Sequence, residues 1–177
     1  MKFSTLLKMI YASLFAALTF VGTYFSVPLP FGYFNFGDCF ILLCAWVVGG
    51  IYGVVGGAIG AMLADIVLGY ASYAPATLVI KAVMVLVAFA IFKVFQKQNK
   101  NLVYAGYAIG AVLAELIMVG GYYLFESILY GFIPALASVP GNLLQGAVAI
   151  VSSLTIISIL EATGVSNEIR KVKGINI

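Results

Sequence analysis

Three ionisable residues stand in stretches otherwise almost free of charge: Asp65, Lys81 and Glu115. An ion inside an apolar span costs about 2.5–3.5 kcal/mol on insertion scales, so each marks a candidate site for binding or proton handling. Tyr122 and Glu126 follow Glu115 at offsets of seven and eleven, which on a helix puts all three on one stripe. Asn142 and Gln145 are three apart, hence on one face, with Gly141 and Gly146 beside them to let another group approach the backbone. Asn35 and Asp38 stand together ahead of another apolar run, and Phe34, Phe36, Tyr70 and Tyr73 add rings nearby. Amides and carboxyls read ring heteroatoms and hydroxyls while aromatic faces stack, so the set suits a small polar ligand with a flat ring. Plainer roles exist for several. Asn142 and Gln145 also suit hydrogen bonds between helices, Tyr70 and Tyr73 an interfacial belt, and Asp38 and Glu126 solvated positions near an interface. The chain has no histidine, which removes the usual zinc ligand and the usual base near neutral pH.

The elements that carry these residues are membrane helices. Of 177 residues 64% are hydrophobic and only 8% charged, against about 25% charged in a soluble domain. Residues 9–37, 39–64 and 127–160 carry no charge, and about 20 apolar residues cross a bilayer. The pattern predicts helices over about 5–25, 38–48, 53–68, 75–95, 102–125 and 140–161 in one domain, 1–177. Asp38 is the expected N-cap of the second, and Pro75 suits the first turn of the fourth. Residues 49–53 read as a tight connection, and 31–37 and 127–138 as loops. The second helix is too short to span unaided and must lengthen or be shielded by its neighbours. Lys2 and Lys8 precede an apolar run with no small-residue cleavage pattern after it, so the first helix is expected to be retained. Cys39 and Cys44 point about 140° apart on a helix and read as small apolar fillers rather than a disulfide.

Lys and Arg set the orientation. Lys2, Lys8, Lys93, Lys97, Lys100, Arg170, Lys171 and Lys173 fall on one side of a six-span bundle. The expected fold is therefore an all-α integral membrane protein, a six-transmembrane-helix bundle with both termini cytoplasmic. The net charge of +3 reflects this topology and gives no signal for nucleic acid. Asp65 then lies about one turn below the outer surface and Lys81 about 9 Å deep. These depths suit an Asp65–Lys81 pair, which either meets a ligand or ties two helices together. Small residues form two strips: Ala12, Ser13, Ala16 and Ala17 on the first helix, and Gly49, Gly53, Gly56 and Gly60 beyond the second. Such strips let helices approach closely, within the chain or with a partner.

With these motifs in view, the chain resembles the substrate-binding S components of energy-coupling factor (ECF) vitamin importers. The first-helix run Ala12-Ser13-Leu14-Phe15-Ala16 is similar to their AxxxA strip. Closer still is the group for hydroxymethylpyrimidine or vitamin B6 compounds. The resemblance rests on Tyr33-Phe34-Asn35-Phe36-Gly37-Asp38, Gly49-Gly50-Ile51-Tyr52-Gly53, Ala64-Asp65, Gly69-Tyr70 and Tyr73-Ala74-Pro75-Ala76-Thr77 with Lys81. It implies a prokaryotic cell-membrane protein that binds a vitamin or precursor from outside with high affinity and needs no cofactor or metal. It also implies docking through the first-helix strip on a transmembrane coupling protein driven by two ATPase subunits. The chain has no Gly-x-x-x-x-Gly-Lys-Ser/Thr phosphate loop, consistent with ATP hydrolysis by a partner. Other readings are a self-contained secondary transporter with Asp65 and Glu115 as a proton relay, and an intramembrane enzyme using them as an acid pair. The gathering of polar groups in one half of the bundle opposes the first; the lack of histidine and of a nucleophile motif opposes the second.

Overall fold

A computed structural model describes residues 3–29 and 32–165. The basic residues expected at the two extremes, Lys2, Arg170, Lys171 and Lys173, lie outside this range. The chain opens with α1 (Phe3–Tyr24), then a hairpin of β1 (Val27–Leu29) and β2 (Gly32–Phe34), antiparallel with Val27 opposite Phe34. Next come α2 (Gly37–Val47), α3 (Gly50–Val67), α4 (Ala74–Phe95) and α5 (Lys100–Tyr130). A short α6 (Phe132–Ala135) and a 3-10 turn (Leu136–Ser138) lead into α7 (Val139–Ala162). Helices α1, α3, α4, α5 and α7 pack side by side in that order, and α2 sits between α1 and α7.

Among the described residues, five helical stretches are long and apolar enough to cross a bilayer: those of α1, α3, α4, α5, and α6 with α7. The sixth expected span, α2, has 11 residues, about 16 Å of helix, and does not reach across. It is instead enclosed: every residue from Gly37 to Val47 except Phe40 is buried. A helix apolar all round belongs in a core. Cys39 and Cys44 are both buried and free, as small fillers would be.

Lipid tails are as apolar as leucine, so close packing and polar links hold such a bundle together more than apolar burial does. The α1–α3 contact shows the packing. A Cβ on Gly56 would stand 2.7 Å from the Ala12 carbonyl oxygen, and one on Gly60 would meet that of Ala16. The two small-residue strips therefore pack against each other. The corner between α2 and α3 turns on Gly49 at φ +62°, where a side chain would also strike the Phe89 ring.

Three boundaries differ from expectation. Residues 50–53 are the first turn of α3, because Gly49 and Gly50, at φ +62° and +54°, complete the corner. The 127–138 segment is helical: α5 continues to Tyr130, and only Gly131 breaks it before α6. Asp38 is not an N-cap. It lies inside the first turn of α2 with its carboxyl turned into the bundle, while Asn35 Oδ1 accepts from the Gly37 N–H at 2.9 Å.

Candidate functional site

The C-terminal ends of α1, α3 and α5 and the N-terminal ends of α4 and α7 meet at one end of the bundle, together with the hairpin. Lys8, Lys93 and Lys97 lie at the other end, on the opposite termini of α1 and α4. A cavity of about 410 Å³ opens among the converging ends. Asn35, Asp65, Tyr70, Tyr73, Lys81, Tyr122, Asn142 and Gln145 all line it. Of the candidate binding residues only Asp38 and Glu115 stand behind its wall.

A chain of polar contacts forms its floor. Lys81 Nζ lies 2.5 Å from Asp38 Oδ1, and both residues are almost wholly buried, at 4% and 1% exposure. Gln145 Nε2 donates to Asp38 Oδ2 at 2.6 Å. Gln145 Oε1 in turn accepts from Asn35 Nδ2 at 2.9 Å and from the Asn35 backbone N–H at 3.2 Å. One continuous run thus joins α4, α2, α7 and the segment after β2. Charge-assisted bonds are about twice as strong as neutral ones, and a low-dielectric setting raises their weight. The Lys81 ammonium also sits 5.3 Å from the centre of the Tyr122 ring, within cation–π range.

The expected Asp65–Lys81 pair is not formed. Helical spacing gives the depth of a residue but not which neighbour it turns to, and Lys81 turns to Asp38 on the enclosed α2. Asp65 has the Thr77 hydroxyl beside it, and its Oδ2 is buried without a hydrogen-bond partner. Thr77 Oγ1 shares a 2.9 Å hydrogen bond with Tyr122 OH. Glu115 is 3% exposed, packs against Gly146, and has no hydrogen-bond partner at either carboxyl oxygen. The stripe from Glu115 to Tyr122 and Glu126 runs as the spacing predicts, but only its upper two residues reach the cavity.

The mouth carries a second polar group. Tyr73 OH donates to Glu126 Oε1 at 3.4 Å and lies 3.3 Å from Tyr130 OH, from which it can accept, and Ser138 Oγ donates to Glu126 Oε2. Burial pushes the Tyr73 phenol up, with further contributions from Tyr130 and Glu126, so it remains a hydroxyl donor. Tyr73 packs edge-on against Tyr70 and Phe125, with ring centres 6.4 and 5.2 Å away. Sequence reasoning missed Thr77, Tyr130 and Ser138 as lining residues. Thr77 was open to discovery, being one helical turn before Lys81; Tyr130 and Ser138 were hidden by treating their segment as loop.

The proposed docking strip divides. Ala12 is 4% exposed and covered by α3, so it is not free for a partner. The Ala16 carbonyl likewise faces Gly60, whereas Ser13 and Ala17 are exposed. Ser13 Oγ donates to the Met9 carbonyl within its own helix, at 3.0 Å. Met9, Ile10, Leu14 and Val21 are exposed on the same helix.

Residues 3–162 match the model of a family described as ECF-type riboflavin transporter, S component. A protein of Pyrococcus woesei, described as an uncharacterized protein in gap 3′region, is 36% identical over 138 residues, covering 76% of this chain and 88% of the relative. The thiamine precursor transporter HmpT of Lactococcus lactis subsp. cremoris (strain MG1363) is 26% identical over 176 residues, covering 93% of each.

Proposed function

The chain belongs to the family of ECF-type riboflavin transporter S components, and from that premise we propose that it is the high-affinity substrate-binding subunit of an ATP-driven importer. As a member of that family it is a membrane transport subunit rather than an enzyme. The observation that carries the reading is the one-sided cavity. Polar and aromatic side chains line it at the end away from Lys8, Lys93 and Lys97. Beyond the floor the interior is closed and, apart from the buried Glu115 and Ser153, apolar: Ile41, Leu42, Met84, Val85, Ala88, Ala111, Ala114 and Met118 are each at most 1% exposed. A site closed on one side binds a solute but needs an outside agent to release it across the bilayer.

By the positive-inside rule the lysine-bearing end and both termini are cytoplasmic, and the cavity faces outward. The ligand is a small vitamin or vitamin precursor, with hydroxymethylpyrimidine or a pyridoxine-like B6 compound favoured. The name of the Lactococcus relative supports a thiamine precursor, and that of the family model keeps riboflavin in view. Asn35, Asp65, Tyr70, Tyr73, Lys81, Tyr122, Asn142 and Gln145 contact the ligand, with Asp38 and Glu115 behind them. The coupling partners are a transmembrane protein, which meets α1 on its exposed Ser13 and Ala17 side, and two ATPase subunits that drive it. The test is uptake into liposomes of the chain with and without a complete ECF module. ATP-dependent uptake that needs the module supports the proposal. Uptake by the chain alone, driven by a proton gradient, contradicts it and favours a self-contained secondary transporter with Glu115 and Asp65 as its relay.

A further inference from the structure

Most polar groups of the cavity are already engaged with one another. Gln145 is held between Asn35 and Asp38, Thr77 is bonded to Tyr122, and Tyr73 and Ser138 are bonded to Glu126. Asp65 and Lys81 keep unused capacity. Asp65 presents a carboxyl whose Oδ2 has no hydrogen-bond partner, although the residue lines the cavity. Lys81 has three N–H donors, of which Asp38 takes one at 2.5 Å. Polar groups walled off from bulk water are nearly always paired, so these capacities define what an occupant must supply.

We propose that Asp65 and Lys81 grip one edge of a heteroaromatic ring, Asp65 accepting from a ring or exocyclic N–H and Lys81 donating to an adjacent ring acceptor. This rests on the substrate-binding reading above and specifies its ligand. The two residues stand on neighbouring antiparallel helices, α3 and α4, and line one cavity. The pair that helical depth suggests is thus completed through the ligand. Tyr70 and Tyr73 line the wall and offer aromatic surface to a flat occupant. Acidic solutes are disfavoured: Asp38 already neutralises Lys81, so a ligand carboxylate meets Asp65 with no second cation among the described lining residues. Asn142 both donates and accepts, and so does not choose between edges.

Two ring systems carry such an edge. An aminopyrimidine places an exocyclic amine beside a ring nitrogen, and a flavin places its N3–H beside ring carbonyls. The test uses the purified full-length chain and calorimetry with two parent–analogue pairs. One pair is aminated hydroxymethylpyrimidine and its deamino analogue; the other is riboflavin and N3-methylriboflavin. Whichever parent binds names the source. Its analogue is expected to bind at least about 100-fold more weakly, because a site built to hydrogen-bond a group strongly rejects a ligand lacking it. In Asp65→Ala, which removes the acceptor, that discrimination is expected to fall below about 10-fold, with Trp46 fluorescence verifying the fold. An analogue within threefold of its parent on the unaltered chain overturns the proposal whatever the variant does, as does undiminished discrimination in the variant. Tight binding of pyridoxine or an acidic vitamin in place of both parents also overturns it, and leaves the S-component reading standing. No binding of any vitamin, with no ATP-coupled uptake, removes that reading and the proposal with it.

Discussion

Replacing Asp38 by asparagine changes one atom in a side chain that is 1% exposed and that no ligand in the cavity touches. The effect is nevertheless expected to be large. The Lys81 ammonium, 4% exposed, loses its counter-ion at 2.5 Å. Breaking a buried pair in this way costs about 3–5 kcal/mol. The new amide also conflicts with its neighbours. With its oxygen toward Lys81, its NH₂ faces Gln145 Nε2, donor against donor. If Gln145 turns over to repair that, its own NH₂ faces the two Asn35 donors that now share Oε1. Either way one buried donor is stranded, at about 1–3 kcal/mol. The two costs overlap, so the expected loss of stability is about 3–5 kcal/mol. Trp46, the chain's single tryptophan, is buried in α2 nine residues or fewer from the change and reports its packing. Graded denaturation in micelles followed by its fluorescence gives the loss directly. Adding Lys81→Met removes the stranded charge and is expected to recover about half of that loss or more. A single variant within about 1 kcal/mol of the parent would refute the view that this pair anchors α2 and the cavity floor.

Three further outcomes are expected. Gly56→Leu forces α1 from α3 at the Ala12 carbonyl and destabilises the chain by about 1–3 kcal/mol in the same denaturation assay. Asn142→Ala leaves a desolvated ligand group unmet and weakens binding by about 1–3 kcal/mol in calorimetry; unchanged affinity removes Asn142 from the site. Ala17→Trp, on the exposed side of α1, spares ligand binding and stability but abolishes ATP-coupled uptake; normal uptake by this variant breaks the docking proposal.

Ions in apolar stretches are rare and costly, so the sequence alone singles out Asp65, Lys81 and Glu115, and the first two line the cavity. Periodicity and topology also gave their depths. They could not give azimuth. The Lys81–Asp38 pair depends on α2 being an enclosed half-length helix, whereas its composition reads as one more span. The small-residue strips show the same limit. Ala12 and Ala16 are spaced alike for an internal or an external partner, and only the facing Gly56 and Gly60 decide for the former. The last misreading was at 127–138, where Gly131 and Pro134 suggested a loop. A single glycine suffices for the break, and Pro134 sits in the first turns of α6, where it forfeits no helical hydrogen bond.

The measurement that tests the central claim most directly is a calorimetric titration of the purified, folded chain against vitamins and vitamin precursors. The panel holds hydroxymethylpyrimidine, pyridoxine, pyridoxal, pyridoxamine, thiamine, riboflavin and niacin. The account predicts one nanomolar binder, saturating one site without any other subunit. A chain whose Trp46 fluorescence shows it folded, yet binds none of them, contradicts it.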